Sequence, residues 1–213
     1  MRDEMERQSP GKAETSSGAP VLLVISGPSG VGKDAVVAGL IRALPSAHFA
    51  TTVTTRPPRP GEREGVDYRF LTDEQYDRLI AEDGFLERAS VYSHRYGVPK
   101  SEVREALRKG LDVIVRVDVQ GAATIKRLIP EAVLVFLAPE SQDELEKRLH
   151  DRATDNGADL RLRIHTATRE MAQEGAFDYV VVNAAGRLAE AVSKIVSIIE
   201  AEKRRRGRRT VQI

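Results

Sequence analysis

Gly27-Pro28-Ser29-Gly30-Val31-Gly32-Lys33-Asp34 reads G-x-x-x-x-G-K, directly after an apolar run and directly before a helical pattern. That spacing suits phosphate. The glycines let successive backbone N–H groups converge on phosphate oxygens, the helix N-terminus adds positive potential, and the lysine neutralises a transferring group. The alternative is a glycine-rich turn with a chance lysine, which the strand-then-helix context disfavours. Every residue from Gly27 to Asp34 is thus a candidate contact to a nucleoside triphosphate. The motif's last position, which wants a Ser or Thr to hold Mg2+, is Asp34. Further on, Thr51-Thr52-Val53-Thr54-Thr55-Arg56-Pro57-Pro58-Arg59-Pro60-Gly61-Glu62 places two arginines three apart in a segment stiffened by three prolines. Two guanidinium forks on a rigid loop are matched to a phosphate dianion. Read singly, each arginine could equally be surface charge.

These groups need a scaffold, and the sequence supplies one. Val21 to Ser26 is a continuous apolar run, as expected of a strand buried on both faces, and similar runs occur at Val113 to Val117, Ala132 to Leu137 and Tyr179 to Val182. Between them lie helical patterns. One follows the phosphate loop through Val36, Val37, Leu40 and Ile41. Thr72 with Gln75, and Ser141 with Glu144, have capping-box spacing, and Leu145 and Leu149 then share one helical face. Ser101, after Pro99, is expected to open a helix that stops at Gly110. Alternation of strand and helix predicts an α/β fold with a parallel sheet covered by helices on both faces.

Composition narrows the function classes. Of 213 residues, 41% are apolar and 31% charged, with 33 Lys+Arg against 32 Asp+Glu, the balance of a globular chain. Cysteine is absent, which excludes disulfides, thiolate zinc sites and cysteine catalysis; the four histidines, at 48, 94, 150 and 165, are too scattered for a His-rich metal centre. No apolar run reaches the ~18 residues of a membrane span. Residues 1–19 lack apolar periodicity and a secretory apolar core, so a flexible leader and a cytoplasmic protein are expected. The domain is expected over residues 20–202 and a basic tail over 203–213. Residues 203–209 read Lys-Arg-Arg-Arg-Gly-Arg-Arg, while the rest of the chain is net acidic. Such a run could bind nucleic acid, yet no aromatic residue is interleaved to stack on bases. The plainer expectation is a solvated helix end whose cations suit the helix macrodipole.

Gly65-Val66-Asp67-Tyr68, Phe85-Leu86-Glu87 and Tyr96-Gly97 follow the arginine loop, and Val117-Asp118-Val119-Gln120-Gly121 ends a strand. In this order they resemble the guanylate kinase family, through T-T-R-x-P-R-x-G-E-x-x-G-x-D-Y and an I-D-x-Q-G-like segment, from about Val21 to Asn183. The resemblance implies a P-loop kinase fold with a small GMP-binding insert at about 50–100 and a helical lid at about 140–170. It further implies Mg2+-dependent transfer of the ATP γ-phosphoryl group to GMP. Arg56, Arg59, Tyr68 and Tyr96 match the family's grip on the GMP phosphate, and Thr52, Glu87 and Asp118 its guanine readers. Ionised carboxylates accept the N1–H and N2–H2 of guanine, whereas adenine would leave them unpaired. Arg148, Arg152 and Arg163 match the lid arginines on the ATP side, with Lys33, Arg56, Arg148 and Arg163 nearest the transferred group. Asn183 matches a residue near the adenine.

The chain also departs from the family. Asp34-Ala35 replaces a Ser/Thr pair, Val98 stands at a Ser/Thr position, Arg116 replaces an acidic residue, and Asn156-Gly157-Ala158-Asp159 is atypical for the lid. Asp34 is the candidate Mg2+ ligand; the alternative is a carboxylate that only complements the helix end. Asp after the loop lysine, and Tyr96-Gly97-Val98, are also features of the ribose 1,5-bisphosphate phosphokinases, which lack the arginine–tyrosine block. A non-catalytic guanylate-kinase-like binding module is a third reading; such modules have degraded phosphate loops, and this loop keeps its glycines and Lys33.

Overall fold

Alternation along the first strand sets the layers. In β1 (Leu22–Ser26) every residue is buried. Leu23 and Ile25 face one hydrophobic cluster, Leu22 and Val24 another. A strand buried on both faces must lie inside a sheet covered on both sides. The computed structural model describes residues 18–91, 93–151, 157–205 and 210–213. After β1 come α1 (Lys33–Ala43), β2 (His48–Phe49), β3 (Val53–Thr54), β4 (Arg69–Phe70), α2 (Asp73–Ala81), β5 (Phe85–Val91) and β6 (His94–Pro99). Then follow α3 (Lys100–Arg108), β7 (Val113–Arg116), α4 (Val119–Leu128), β8 (Val133–Ala138), α5 (Gln142–Asp151), α6 (Gly157–Met171), β9 (Tyr179–Val182) and α7 (Leu188–Arg204).

The main sheet has the order β2-β7-β1-β8-β9, with every pair parallel. One face packs on Val36 and Leu40 of α1, Leu145 and Leu149 of α5, and Ile195 and Ile199 of α7. The other packs on Val103 and Ala106 of α3 and Ala122 and Ile125 of α4. Each fully buried Val, Leu or Ile side chain contributes about 1.5–3 kcal/mol of transfer free energy. A second, four-stranded sheet, β4-β3-β6-β5, is built wholly from residues between Val53 and Pro99. Its own small core is Val53, Tyr76 and Phe85, with the two rings 4.6 Å apart. Val98, the departure at a Ser/Thr position, is fully buried in the cluster that holds Leu86 and Val103.

Local signals mostly hold. Thr72 and Gln75 form the reciprocal capping box. At Ser141 the hydroxyl accepts from Glu144 N at 3.1 Å, but the Glu144 carboxylate accepts from Glu140 N instead of closing the box. Pro99, not Ser101, flanks α3, which starts at Lys100 because proline is tolerated where no helical N–H is needed. Ile41 is 50% exposed, so Val36, Gly39 and Leu40 carry the buried stripe of α1, with Val37 packed at its edge.

The C-terminus differs most from expectation. The boundary expected after residue 202 falls inside α7, and Lys203 donates to Asp112 at 2.7 Å rather than facing solvent. The other Asp112 oxygen accepts from Val21 N at 2.9 Å. Beyond residues 206–209, which lie outside the described residues, Val211 is buried in the α3–α4 face and Arg104 donates to the Ile213 carbonyl at 2.8 Å. The segment carries apolar residues as well as charge, and these outweigh solvation. Residues 1–17, nearly all of the expected leader, also lie outside the described residues.

Candidate functional site

The phosphate loop leaves the C-terminal end of central strand β1, the ligand-facing end of an open α/β sheet. Gly32 adopts φ 97°, and a Cβ there would meet Asn183 Nδ2 at 2.6 Å, so this corner admits only glycine. Three side chains lock the corner. Asn183 Nδ2, just after β9, donates to the Val31 carbonyl at 2.8 Å. Arg148 of α5 donates to the same carbonyl at 2.9 Å and to the Asn183 carbonyl at 2.8 Å. Glu144, one turn earlier, pairs with the Arg148 guanidinium. Lys33 opens α1, and its Nζ donates to the Gly27 and Pro28 carbonyls at 2.6 and 3.1 Å.

One participant went unread in the sequence. Glu170 of α6 accepts the Ser29 N–H at 2.9 Å, placing a carboxylate on an N–H of the phosphate loop. Burial raises the Glu170 pKa, opposed by the Ser29 bond and the Lys33 charge. Its only sequence trace is a position seven residues after Arg163, on the same helical face. Arg163 itself is half-buried within α6. Arg152 lies outside the described residues.

Across from the loop, the second sheet gathers the arginine–tyrosine block. Arg56 is 7% exposed and bidentate to Glu62 at 2.9 and 2.8 Å. Glu62 also accepts the Arg59 backbone N–H at 2.8 Å, so one carboxylate holds the Arg56 guanidinium and the Arg59 main chain. The pair raises the Arg56 pKa and holds the Glu62 carboxyl below its ordinary value. Glu62 is the second residue that sequence reasoning left without a role, although its spacing from Arg56 stood in the motif. The Arg56 guanidinium lies 5.4 Å from the centre of the Tyr68 ring, and that ring meets Tyr96 edge-on at 6.1 Å. Arg56 Nε is buried with no hydrogen-bond partner. Burial pushes the Tyr68 hydroxyl pKa up.

The base-reading candidates cluster at the start of α4. Asp118 caps that helix, its carboxylate accepting from Gly121 N at 2.7 Å. A Cβ on Gly121 would stand 2.8 Å from Glu87 Oε2, so glycine is what lets the Glu87 carboxylate approach. Glu87 is 6% exposed; burial first, and the Asp118 charge second, push its pKa to about 7. Thr52 sits at the junction of the two sheets, where its carbonyl accepts from Arg69 N at 3.0 Å. Glu102 of α3 pins this approach by accepting from Thr51 N and from His48 Nε2, both at 2.9 Å.

The two departures flanking the phosphate loop meet each other. Arg116, the last residue of β7, pairs with Asp34 in the first turn of α1. Among the described residues no cluster of three or more His, Asp or Glu could hold a metal ion alone. Asp34 nonetheless offers a hard carboxylate oxygen beside the phosphate loop, with a side chain 73% exposed. That donor set fits Mg2+ arriving on triphosphate oxygens and keeping its waters.

A phosphate loop at the head of a parallel sheet, facing an arginine–tyrosine cluster on a separate small sheet, defines a P-loop phosphotransferase of the mononucleotide kinase type. Comparison with known proteins narrows the class. The Guanylate kinase family model matches residues 20–202. The chain is 46% identical over 195 residues to guanylate kinase 2, chloroplastic/mitochondrial, of Oryza sativa subsp. japonica, covering 91% of this chain and 68% of that one. It is 45% identical over 187 residues to a guanylate kinase of Thermus thermophilus, covering 88% of this chain and 84% of that one. The crystal structure of guanylate kinase from Anaplasma phagocytophilum superposes with a TM-score of 0.74 at 32% identity, covering 90% of each chain. The chain belongs to the guanylate kinase family.

Proposed function

We propose that this enzyme carries out the reaction ATP + GMP → ADP + GDP with its described residues divided between a donor half and an acceptor half. The observation that carries the reading is the buried Glu87 carboxylate beside Asp118. A buried carboxylate beside a second, half-buried one calls for N–H donors, and guanine supplies N1–H and N2–H2 on one edge. Adenine supplies no N1–H. Thr52 completes the edge as a hydroxyl donor to O6.

In the donor half, the loop N–H groups from Ser29 to Lys33 and the Lys33 ammonium hold the ATP phosphates. Ligand binding moves Lys33 off the Gly27 and Pro28 carbonyls and Glu170 off Ser29 N. Asp34 would hold Mg2+, which when bound neutralises charge on the β and γ oxygens. Asn183 and Arg148 brace the loop at Val31, and Arg163 and Arg152 belong to the lid, at about 140–170, that excludes water. In the acceptor half, residues 50–100, Arg56, Arg59, Tyr68 and Tyr96 hold the GMP phosphate in line with the γ-phosphorus. An oxygen of that phosphate forms the new O–P bond as the bond to the ADP oxygen breaks. No general base is needed, because the attacking phosphate has a second pKa near ~6. Both substrates are soluble nucleotides, which suits a cytoplasmic setting; among the described residues no helix is long and apolar enough to cross a membrane.

A coupled ADP-release assay with GMP, dGMP, AMP, UMP and ribose 1,5-bisphosphate as acceptors tests the reading. Guanine nucleotides should turn over about a hundredfold or more efficiently than AMP, given that each unpaired buried polar group costs about 1–3 kcal/mol. Comparable turnover with AMP, or turnover with ribose bisphosphate alone, overturns it.

A further inference from the structure

Arg116 stands between the two halves. It extends β7, whose neighbour β1 leads into the phosphate loop, with Arg116 level with Ile25. Its guanidinium pairs with Asp34 on the donor side, while Nη2 donates to the Tyr68 hydroxyl at 3.3 Å on the acceptor side. The same group lies 5.7 Å from the Tyr68 ring centre, and the Arg56 guanidinium lies 5.4 Å from it. Two cations thus converge on one phenol ring. Neither a strand end nor a core requires that.

The ion pair does not account for the arrangement as a stabilising device. Asp34 is 73% exposed, and a pair with so exposed a partner adds little stability. The Arg116 side chain is itself only 25% exposed, and burial works against its charge. A desolvated cation with a weak partner is one that a stronger anion can recruit. Arginine has five N–H donors, and the Asp34 and Tyr68 contacts leave others to spare.

We propose that Arg116 is a third guanidinium of the acceptor-phosphate grip, held ready by Asp34 and Tyr68 and closing on the GMP phosphate together with Arg56. The hand-over leaves the Asp34 carboxylate available on the donor side, so two departures from the family pattern act as one unit. The inference rests on the acceptor-site reading above.

Calorimetric titration of the metal-free protein with GMP and with guanosine tests it without turnover. Arg116→Gln should weaken GMP binding about ten- to a hundredfold, the range for losing a charge-assisted bond, while guanosine and ADP affinities stay within about twofold. Arg116→Lys, a point charge without the fork, should recover part of the GMP affinity. Equal loss for GMP and guanosine, or loss confined to ADP, overturns the proposal. So does unchanged GMP binding in a variant whose melting curve shows it folded. Arg56→Ala in parallel separates the failures. If it too leaves GMP binding unchanged, the acceptor-site reading falls; if it abolishes binding while Arg116→Gln does nothing, only the role of Arg116 falls.

Discussion

On the proposed reading, the donor and acceptor halves would solve the same problem, holding a phosphate, by opposite means. The donor loop presents backbone N–H groups, and its side-chain supports (Asn183, Arg148) act on the carbonyl of Val31. The acceptor half would use charged side chains set by their neighbours: Arg56 is anchored by Glu62, while Glu87 is buried against the like charge of Asp118. A backbone cradle tolerates side-chain change so long as its glycines remain. A side-chain grip is broken by a single substitution, and it responds to pH.

Lys33→Ala should show the largest effect. Losing the loop's ammonium should lower kcat about a thousandfold, as removal of a charge-stabilising donor does, with GMP binding unchanged in direct titration. Loss of GMP affinity as well would mean that the two halves are not separable. Arg56→Ala should weaken GMP binding about a hundredfold, the loss expected of a bidentate charged contact, and leave ATP affinity within about twofold. It also strands Glu62, so the melting temperature should fall in line with about 1–3 kcal/mol of lost stability. Glu62→Gln should reproduce a milder version of both changes. A normal GMP affinity in either variant would take the fork off the phosphate.

The pH response sharpens the contrast further. Glu87 titrates at about 7 when folded, against an ordinary value of 4.5, so between these values the folded state binds the extra proton. Stability of the ligand-free enzyme should therefore fall as pH rises through that window and level off above it. On the proposed reading GMP binds the ionised carboxylate, so its affinity should drop toward about tenfold per pH unit below the folded pKa. Glu87→Gln should flatten both profiles, raise the melting temperature at mildly alkaline pH and erase much of the preference for GMP. A stability profile unaltered by that substitution would place the pH response elsewhere. The smallest effect belongs to a third region. Val211→Ala should cost about 1–2 kcal/mol for its lost buried methyl groups, with kcat and KM for both nucleotides unchanged.

The same contrast explains what could be read from sequence. Glycine spacing between an apolar run and a helix is a local signal, so the phosphate loop, β1, β7, β8 and β9 were legible to within a residue or so at each end. The acceptor residues come from the proline-rich loop, from positions just before β3 and β4, from within β5 and β6, and from the turn after β7, spread along the chain, and only the family resemblance grouped them. Nothing local marks Glu170 as a partner of Ser29 N, 141 positions away, or Asp34 as the partner of Arg116, 82 positions away. At the C-terminus the charged run drew attention from Val211 and Ile213, whose packing against the α3–α4 face went unread.

The position of β1 carries a consequence for the order of assembly on the ribosome. It is the middle strand, yet its neighbours β7 and β8 come from the second half of the chain, and Val21 meets Asp112 across 91 positions. A chain made from its N-terminus therefore exposes a largely apolar strand that must wait for about half the protein to be synthesised before it has a neighbour. Meanwhile the small sheet between Val53 and Pro99 has all its strands, and can close on Tyr76 and Phe85 by itself. The nascent chain would thus shape its acceptor half first, and the phosphate loop would acquire its support last, when β9 delivers Asn183 to Val31.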